Sequence, residues 1–263
     1  MPARYEHPYP APEVEAKYPF DVLDVHRYTD DEMLARAEDC YQELDRRRSV
    51  RMISDEPVAR ELIELAVIAA STAPSGAHHQ PWKFVVTGAS AVKRQIRLAA
   101  EEEERVNYLE QRMNAEWQEA LAPLGTDHHK EFLEIAPWIV VLFEERFSFA
   151  DDGARRHHYY VKESVGIAAG LFVTALHRIG LVTLPHTPTP MAFLTRILGR
   201  PVNERPFVVF PVGHPVAGCK VPGLRRKTLD EVMVVVDRPM WSDVTAAASI
   251  DRVDSTALDG PTS

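Results

Sequence analysis

Apolar residues at positions 34, 37, 41 and 44 follow a helical spacing, which predicts a helix over residues 31–46. Pro57 suits a first-turn position, and residues 58–71 read as a buried helix. The run Ala73-Pro74-Ser75-Gly76-Ala77 predicts a turn, followed by a short strand over 82–86. Ser90 can cap a long helix that continues through an acidic run toward Trp117. The continuous apolar run at 135–143 (IAPWIVVLF) fits a central strand. Residues 158–178 predict a long apolar helix closed by Gly180, with a strand over 181–184 directly after it. Strands at 207–212 and 232–236 bring the set to about five. Helices and strands interleave without regular βαβ spacing. The expected fold is therefore α+β, a mixed central sheet covered by helices.

Residues 1–30 carry several prolines and no helical period, so an extended arm is expected there. Residues 239–263 are rich in small and polar residues and are expected to be disordered. Between them lies neither a repeat nor a Gly/Ser linker, and residues 31–238 are expected to form one domain. The chain's 263 residues suffice for a sizeable core without a disulfide or metal staple. Cys40 and Cys219 form no disulfide framework and sit in no zinc or nucleophile signature, as expected of reduced thiols in the cytoplasm. The N-terminus is Pro- and Tyr-rich, not basic then apolar as in a secretory signal. The apolar segment around 165–176 falls short of the roughly 20 residues a bilayer needs. A net charge of −9 repels phosphate backbones and anionic lipid, so neither nucleic acid nor membrane is an expected partner. That charge does not exclude a small anion held by a local basic cluster.

Such clusters exist. Arg46-Arg47-Arg48-Ser49-Val50-Arg51 offers guanidinium forks and a hydroxyl suited to a phosphate monoester, and Arg225-Arg226-Lys227 adds a second group. An isolated basic run is more often a solvated patch, so the first run alone does not decide the matter. In the 73–82 segment, Gly76 would let the backbone approach a flat ligand closely, while neighbouring residues expose amides. Glu104 and Tyr108, four residues apart, project from one helical face. The run Glu101–Glu104 is a poor autonomous helix: either a solvated face, or a lid that orders when a cation neutralises a carboxylate. With Lys130, these residues could read a zwitterion, its ammonium on Glu104 and its carboxylate on Lys130 and the Tyr108 hydroxyl. The histidine pairs 78–79, 128–129 and 157–158 lack metal-ligand spacing, and no metal is expected.

The motifs RRSVR (47–51), APSGAHHQPW (73–82), EEEERVNY (101–108), HHYYVKESVGIAAGLFVTALHRIGLVT (157–183) and VPGLRRKTLDEVM (221–233) together resemble the FMN-dependent nitroreductase superfamily. Within it the chain is most similar to the iodotyrosine deiodinases, over roughly residues 35–236. The resemblance implies a homodimer that exchanges terminal segments and builds two FMN sites at its interface. Arg47, Arg48, Ser49, Arg51 and Arg226 would hold the phosphate and ribityl region. Pro74 and Ser75 would reach the flavin from the partner subunit. Pro185, His186 and Thr187 match the loop beside the isoalloxazine, where Thr187 would act as the catalytic residue by hydrogen-bonding flavin N5 and favouring one-electron steps. This chain departs from the family's threonine run at Pro185-His186, and from its usual Asn-led pair at His78-His79.

Substrate would be held by Glu104, Tyr108 and Lys130 on the zwitterion and by the Ala77 amide on a phenolate. The implied activity is reductive dehalogenation of 3-halo-L-tyrosine, with electrons from an external reductase or NAD(P)H. A general NAD(P)H-dependent nitroreductase is the alternative enzyme. A flavin-destructase fits the lid residues less well. A non-catalytic FMN- or amino-acid-binding protein is the alternative from outside enzymology.

Overall fold

The computed structural model describes residues 9–110 and 112–236. The chain divides into two units, Met1–Pro222 and Gly223–Ser263. The expected tail at 239–263 lies outside the described residues, as do residues 1–8 of the arm.

The first unit begins with a short helix, α1 (Pro12–Glu15), inside the stretch expected to be extended. Helix α2 (Asp30–Asp45) starts in a capping box: the Thr29 amide donates to the Glu32 carboxylate at 2.8 Å and the Glu32 amide to the Thr29 hydroxyl at 3.3 Å. In α3 (Arg60–Ala70), Ile63, Ala66 and Ala70 form the buried stripe. Pro57 lies before this helix, whose N-cap is Ala59. Strand β1 (Trp82–Thr87) leads into α4 (Ser90–Leu109), where Ala89, not Ser90, occupies the cap position.

The long helix predicted to run toward Trp117 breaks after Leu109. Asn114 starts a new one, α5 (Ala115–Leu121), by accepting from the Trp117 amide at 2.8 Å. An asparagine side chain that satisfies an otherwise orphaned amide favours such a restart.

Helical turn α6 (Phe132–Ile135) takes the first residue of the predicted central strand. Pro137 then forces its predecessor out of the helical region, and β2 (Trp138–Glu145) begins. A hairpin of β3 (Phe147–Phe149) and β4 (Arg155–His157) follows. Next come α7 (Val161–Arg178), β5 (Val182–Thr183), α8 (Ala192–Ile197) and β6 (Glu204–Gly213).

The main sheet has four strands in the order β1-β2-β6-β5, and each ladder is antiparallel. A parallel bridge between Ser49 and Thr183 adds the mixed character. Side chains of β2 alternate between two cores, which explains its unbroken apolar run. Val140 and Leu142 face Ile63, Ala66, Val165, Phe172 and Leu176 of α3 and α7. Ile139, Val141 and Phe143 face Ile96, Ala100, Phe132, Leu133 and Leu194 of α4, α6 and α8. Helices therefore cover both faces of the sheet, and the protein is α+β. The helices of the second face, α4 and α6, carry the acidic run and the segment after Lys130.

In the second unit, α9 (Leu229–Val232) starts in a capping box of Thr228 and Glu231, and Arg225 pairs with Glu231 at 2.7 Å. The fifth strand predicted at 232–236 is absent. Val232 ends α9 and residues 233–236 carry no ladder, because no strand among the described residues of this unit pairs with them.

Candidate active site

Packing against the sheet turns the acidic helix so that its four consecutive glutamates diverge. Arg97 holds Glu101 at 2.9 Å, Arg105 holds Glu102 at 2.9 Å, and Arg112 holds Glu103 at 3.0 Å. Glu104 points inward and is buried. Glu101 also accepts the Lys130 amide at 2.8 Å, which fixes the backbone of Lys130 against α4.

Glu104, Tyr108 and Lys130 line one cavity of about 230 Å³, into which Trp117 of α5 also projects. The Lys130 ammonium donates to the Asp127 carbonyl and to the Thr126 hydroxyl at 3.2 Å, and lies 5.5 Å from the centre of the Tyr108 ring. Burial raises the Glu104 carboxyl above its usual range, and the Lys130 charge opposes the rise. Burial likewise lowers the Lys130 ammonium, against the attraction of Glu104 and Asp127. Tyr108 is raised by burial, with a hydrogen bond from Thr126 opposing it. The site thus has one buried carboxylate, one buried ammonium and a phenol, each short of solvation. A ligand with an ammonium and a carboxylate supplies the missing counter-charges.

The loop Pro185-His186-Thr187 and Arg51 line the same cavity. Double hydrogen bonding to Val209, 2.8 Å in each direction, anchors His186 to β6. Burial, aided by repulsion from Lys130 and Arg51, lowers the His186 imidazole to about 3, so the ring is neutral at ordinary pH. Its buried Nε2 has no partner among the described residues.

The arginine run is divided. Val50 donates to the Thr183 carbonyl at 3.1 Å beside the Ser49 bridge, which draws the segment along β5. Arg51 enters the cavity of Lys130, whereas Arg46, Arg47 and Arg48 line a separate cavity of about 480 Å³ with Glu43, His177 and Thr183. Arg46 pairs with Glu43, and Arg48 donates to the Pro222 carbonyl. Arg226 belongs to the second unit.

The 73–82 segment forms a tight 3-10 turn over Gly76–His78. Ala77, His78 and Gln80 all have positive φ, near 50°, a conformation costing roughly 1 kcal/mol or more for each non-glycine residue. The turn's hydrogen bonds are donated by His78 and His79, with Gln80 donating to the Ser75 hydroxyl at 2.9 Å. The expected close approach at Gly76 is real, but its neighbour is protein. A Cβ there would lie 2.7 Å from the Tyr159 carbonyl. His79 continues this contact, its ring meeting His158 edge-on at 4.9 Å and Tyr159 at a tilt at 5.6 Å. Pro74, Ser75 and Ala77 are not among the residues lining the cavity of Glu104.

One residue that sequence reasoning left without a role is Asn107. It lies three positions after Glu104 on the same helix, is buried, lines the cavity and donates to the Thr189 carbonyl at 3.0 Å. Its place between Glu104 and Tyr108 was the available signal.

A sheet covered by helices on both faces thus carries one cavity lined by a carboxylate, a phenol and an ammonium, and a second lined by arginines. Residues 44–214 match the Nitroreductase family, and the chain belongs to it. It is 52% identical over 209 residues to iodotyrosine deiodinase of Haliscomenobacter hydrossis, covering 80% of this chain and 94% of that protein. To iodotyrosine deiodinase 1 of Homo sapiens it is 43% identical, covering 80% of this chain and 73% of that protein. A crystal structure of oxidized iodotyrosine deiodinase bound to FMN and 3-iodo-L-tyrosine superposes with a TM-score of 0.66 at 27% identity, covering 76% of this chain and 99% of that one.

Proposed function

We propose that this protein is an FMN-dependent dehalogenase of 3-halo-L-tyrosines. In the net reaction, two electrons and one proton replace the carbon–halogen bond by carbon–hydrogen and release halide. The observation that carries this reading is the convergence of Glu104, Tyr108 and Lys130 on one cavity with the Pro185–Thr187 loop and Arg51. Relatives named iodotyrosine deiodinase at 52% and 43% identity support it.

Glu104 takes the substrate ammonium. Lys130 and the Tyr108 hydroxyl take its carboxylate, so the lid tightens only around a full amino-acid zwitterion. The Ala77 amide donates to the phenolate oxygen. A halogen beside that oxygen acidifies the phenol, so the same donor favours halogenated over plain tyrosine. The Thr187 hydroxyl, on the loop lining the same cavity, would hydrogen-bond the flavin at N5.

The chain's residues fit an FMN ring and phosphate. The buried, unpartnered His186 Nε2 and the partly buried Arg51 offer polar contacts to a ring edge. Arg47 and Arg48 line a cavity roomy enough for a phosphate, with Ser49 beside them in the chain. When bound, FMN supplies the redox chemistry, while the protein orients the substrate ring and tunes N5.

A homodimer completes the site. Pro74 and Ser75 lie outside their own chain's lid cavity, which supports their serving the partner's flavin. Leu65 and Ile68 on α3 and Ile167 on α7 are exposed apolar residues suited to such an interface. Electrons come from an external reductase or NAD(P)H. No helix among the described residues is long and apolar enough to cross a membrane, which is compatible with work in the cytoplasm.

The test is anaerobic reduction of the flavin-loaded protein with dithionite in the presence of 3-iodo-, 3-bromo- and 3-chlorotyrosine, following release of tyrosine. Absence of tyrosine with all three sinks the dehalogenase reading. Fast NAD(P)H-driven reduction of nitroaromatics, unaffected by Glu104→Gln, would point to a general nitroreductase instead. Flavin retention without any turnover would point to a binding protein.

A further inference from the structure

Three buried side-chain polar atoms among the described residues have no hydrogen-bond partner: Ser54 Oγ, His79 Nδ1 and His186 Nε2. Of these residues, His186 alone lines the cavity of Glu104, Tyr108 and Lys130. Its position leaves little freedom. The backbone is fixed to Val209 by two hydrogen bonds of 2.8 Å, and the ring meets Phe132 edge-on at 5.7 Å. Arg51 and Lys130 lie near enough to oppose protonation of the ring. A neutral imidazole keeps one N–H donor and one lone pair. Set beside two cations, that donor suits an electron-rich, uncharged or anionic acceptor and disfavours a cationic one. Nothing among the described residues uses it: folding buries a polar atom and leaves it unsatisfied, an arrangement that weakens the empty protein.

We infer that His186 is a cofactor-tuning contact: with its proton on Nε2, the ring donates a hydrogen bond to an electron-rich carbonyl edge of the FMN ring, alongside the charges of Arg51 and Lys130. The inference rests on the FMN-dependent reading above and adds a side-chain contact beyond the Thr187 hydroxyl. A donor on such an edge favours the reduced ring, which carries more negative charge, over the oxidised one. His186 therefore raises the flavin's reduction potential as well as its affinity.

His186→Phe tests this, because phenylalanine keeps the ring and its contact with Phe132 while removing both nitrogens. Three quantities are read on wild type and variant: thermal midpoint of the flavin-free protein, FMN affinity by fluorescence quenching, and midpoint potential of the bound flavin. The variant's flavin-free form should melt at the same temperature or higher, since the orphaned atom is gone. Its FMN affinity should fall about tenfold, the worth of one hydrogen bond at the upper end of the usual range. The potential should move negative. His186→Gln, which restores an N–H, should recover part of both losses. Unchanged affinity and potential, together with a lower flavin-free melting temperature, would show that the ring serves packing alone and overturn the inference. If the wild type itself takes up no FMN, the functional reading fails first, and that failure is visible without any variant.

Discussion

The Asn107 side-chain amide donates to the Thr189 carbonyl at 3.0 Å and so fastens the acidic helix to the loop that carries Thr187. Thr189 in turn donates from its hydroxyl to the Thr187 carbonyl at 3.3 Å. The cavity-lining face of α4 and the segment holding the Thr187 hydroxyl are thus joined by two consecutive hydrogen bonds.

Replacing Asn107 by alanine removes the first link and leaves the Thr189 carbonyl with only Arg112, at 3.5 Å, as a substitute donor among the described residues. A hydrogen bond of this kind contributes about 1 kcal/mol, so halotyrosine affinity should fall roughly fivefold. Amide exchange at Thr187 and Thr189, the two residues of this Thr-Pro-Thr-Pro segment that carry an N–H, should quicken in the same variant. If exchange there is unchanged, the two elements are not coupled through this bond.

Glu104 sets a pH dependence whose sign follows from its surroundings. Burial raises its carboxyl above the usual 4.5, opposed by Lys130. A raised carboxyl contributes stability that is fully present below that usual value and is lost as pH rises through the folded-state value. Above that window the ligand-free lid holds a poorly solvated carboxylate, which a substrate ammonium neutralises. Halotyrosine binding should therefore release protons just above pH 4.5 and weaken as the solution is acidified. Calorimetry in buffers of different ionisation enthalpy measures that release. Glu104→Gln should remove the pH-dependent part of the release just above pH 4.5, leaving the proton lost by the substrate phenol, and cost about 2 kcal/mol, near thirtyfold in affinity. A release with the same pH dependence in the variant would assign the effect to another group.

How far the sequence anticipated this depends on what each signal measures. The acidic run 101–104 left two readings open, a solvated face or a lid. Helical geometry divides it between them: Glu102 pairs with Arg105 at the surface, while Glu104 turns into the cavity beside Lys130. The apolar run at 135–143 correctly marked a strand buried on both faces, but hydrophobicity could not reveal that Ile135 belongs to a helical turn ended by Pro137. The 232–236 segment has strand-forming residues and no ladder, since β propensity describes a surface that needs a neighbour. Glu104, Tyr108 and Lys130 could be associated from spacing and charge type. Asn107 could be picked out by its place between Glu104 and Tyr108, but not its role, which is a bond to a loop 82 residues away.

Gly76 offers a test of the strained 73–82 turn. An added Cβ would stand 2.7 Å from the Tyr159 carbonyl and 3.0 Å from Tyr160 Cδ2, so Gly76→Ala must push the turn off the start of α7. Overpacking against backbone of this kind destabilises by about 1–3 kcal/mol. The melting temperature should fall, and FMN affinity with it, because Pro74, Ser75 and Ala77 move together. An unchanged melting temperature would mean that the turn accommodates the methyl group by a small shift, and that its conformation is not fixed by this contact.

His186 makes a separate prediction for the flavin-free protein in acid. Burial, with Lys130 and Arg51 nearby, lowers its imidazole from the usual 6.5 to about 3. In the unfolded chain the ring takes up a proton as pH falls below 6.5, while the folded chain refuses it until about 3. A depressed value contributes stability that is present above the unfolded value and lost as pH falls toward the folded one. The wild type should therefore lose stability steadily over that interval, beyond the contribution of its carboxylates. His186→Phe cannot protonate in either state, so its urea-unfolding free energy should fall less steeply between pH 6 and pH 4, about one proton fewer in the linkage slope. Parallel slopes in the two proteins would mean that the folded chain admits the proton, and that the imidazole is better solvated than its burial beside Phe132 implies.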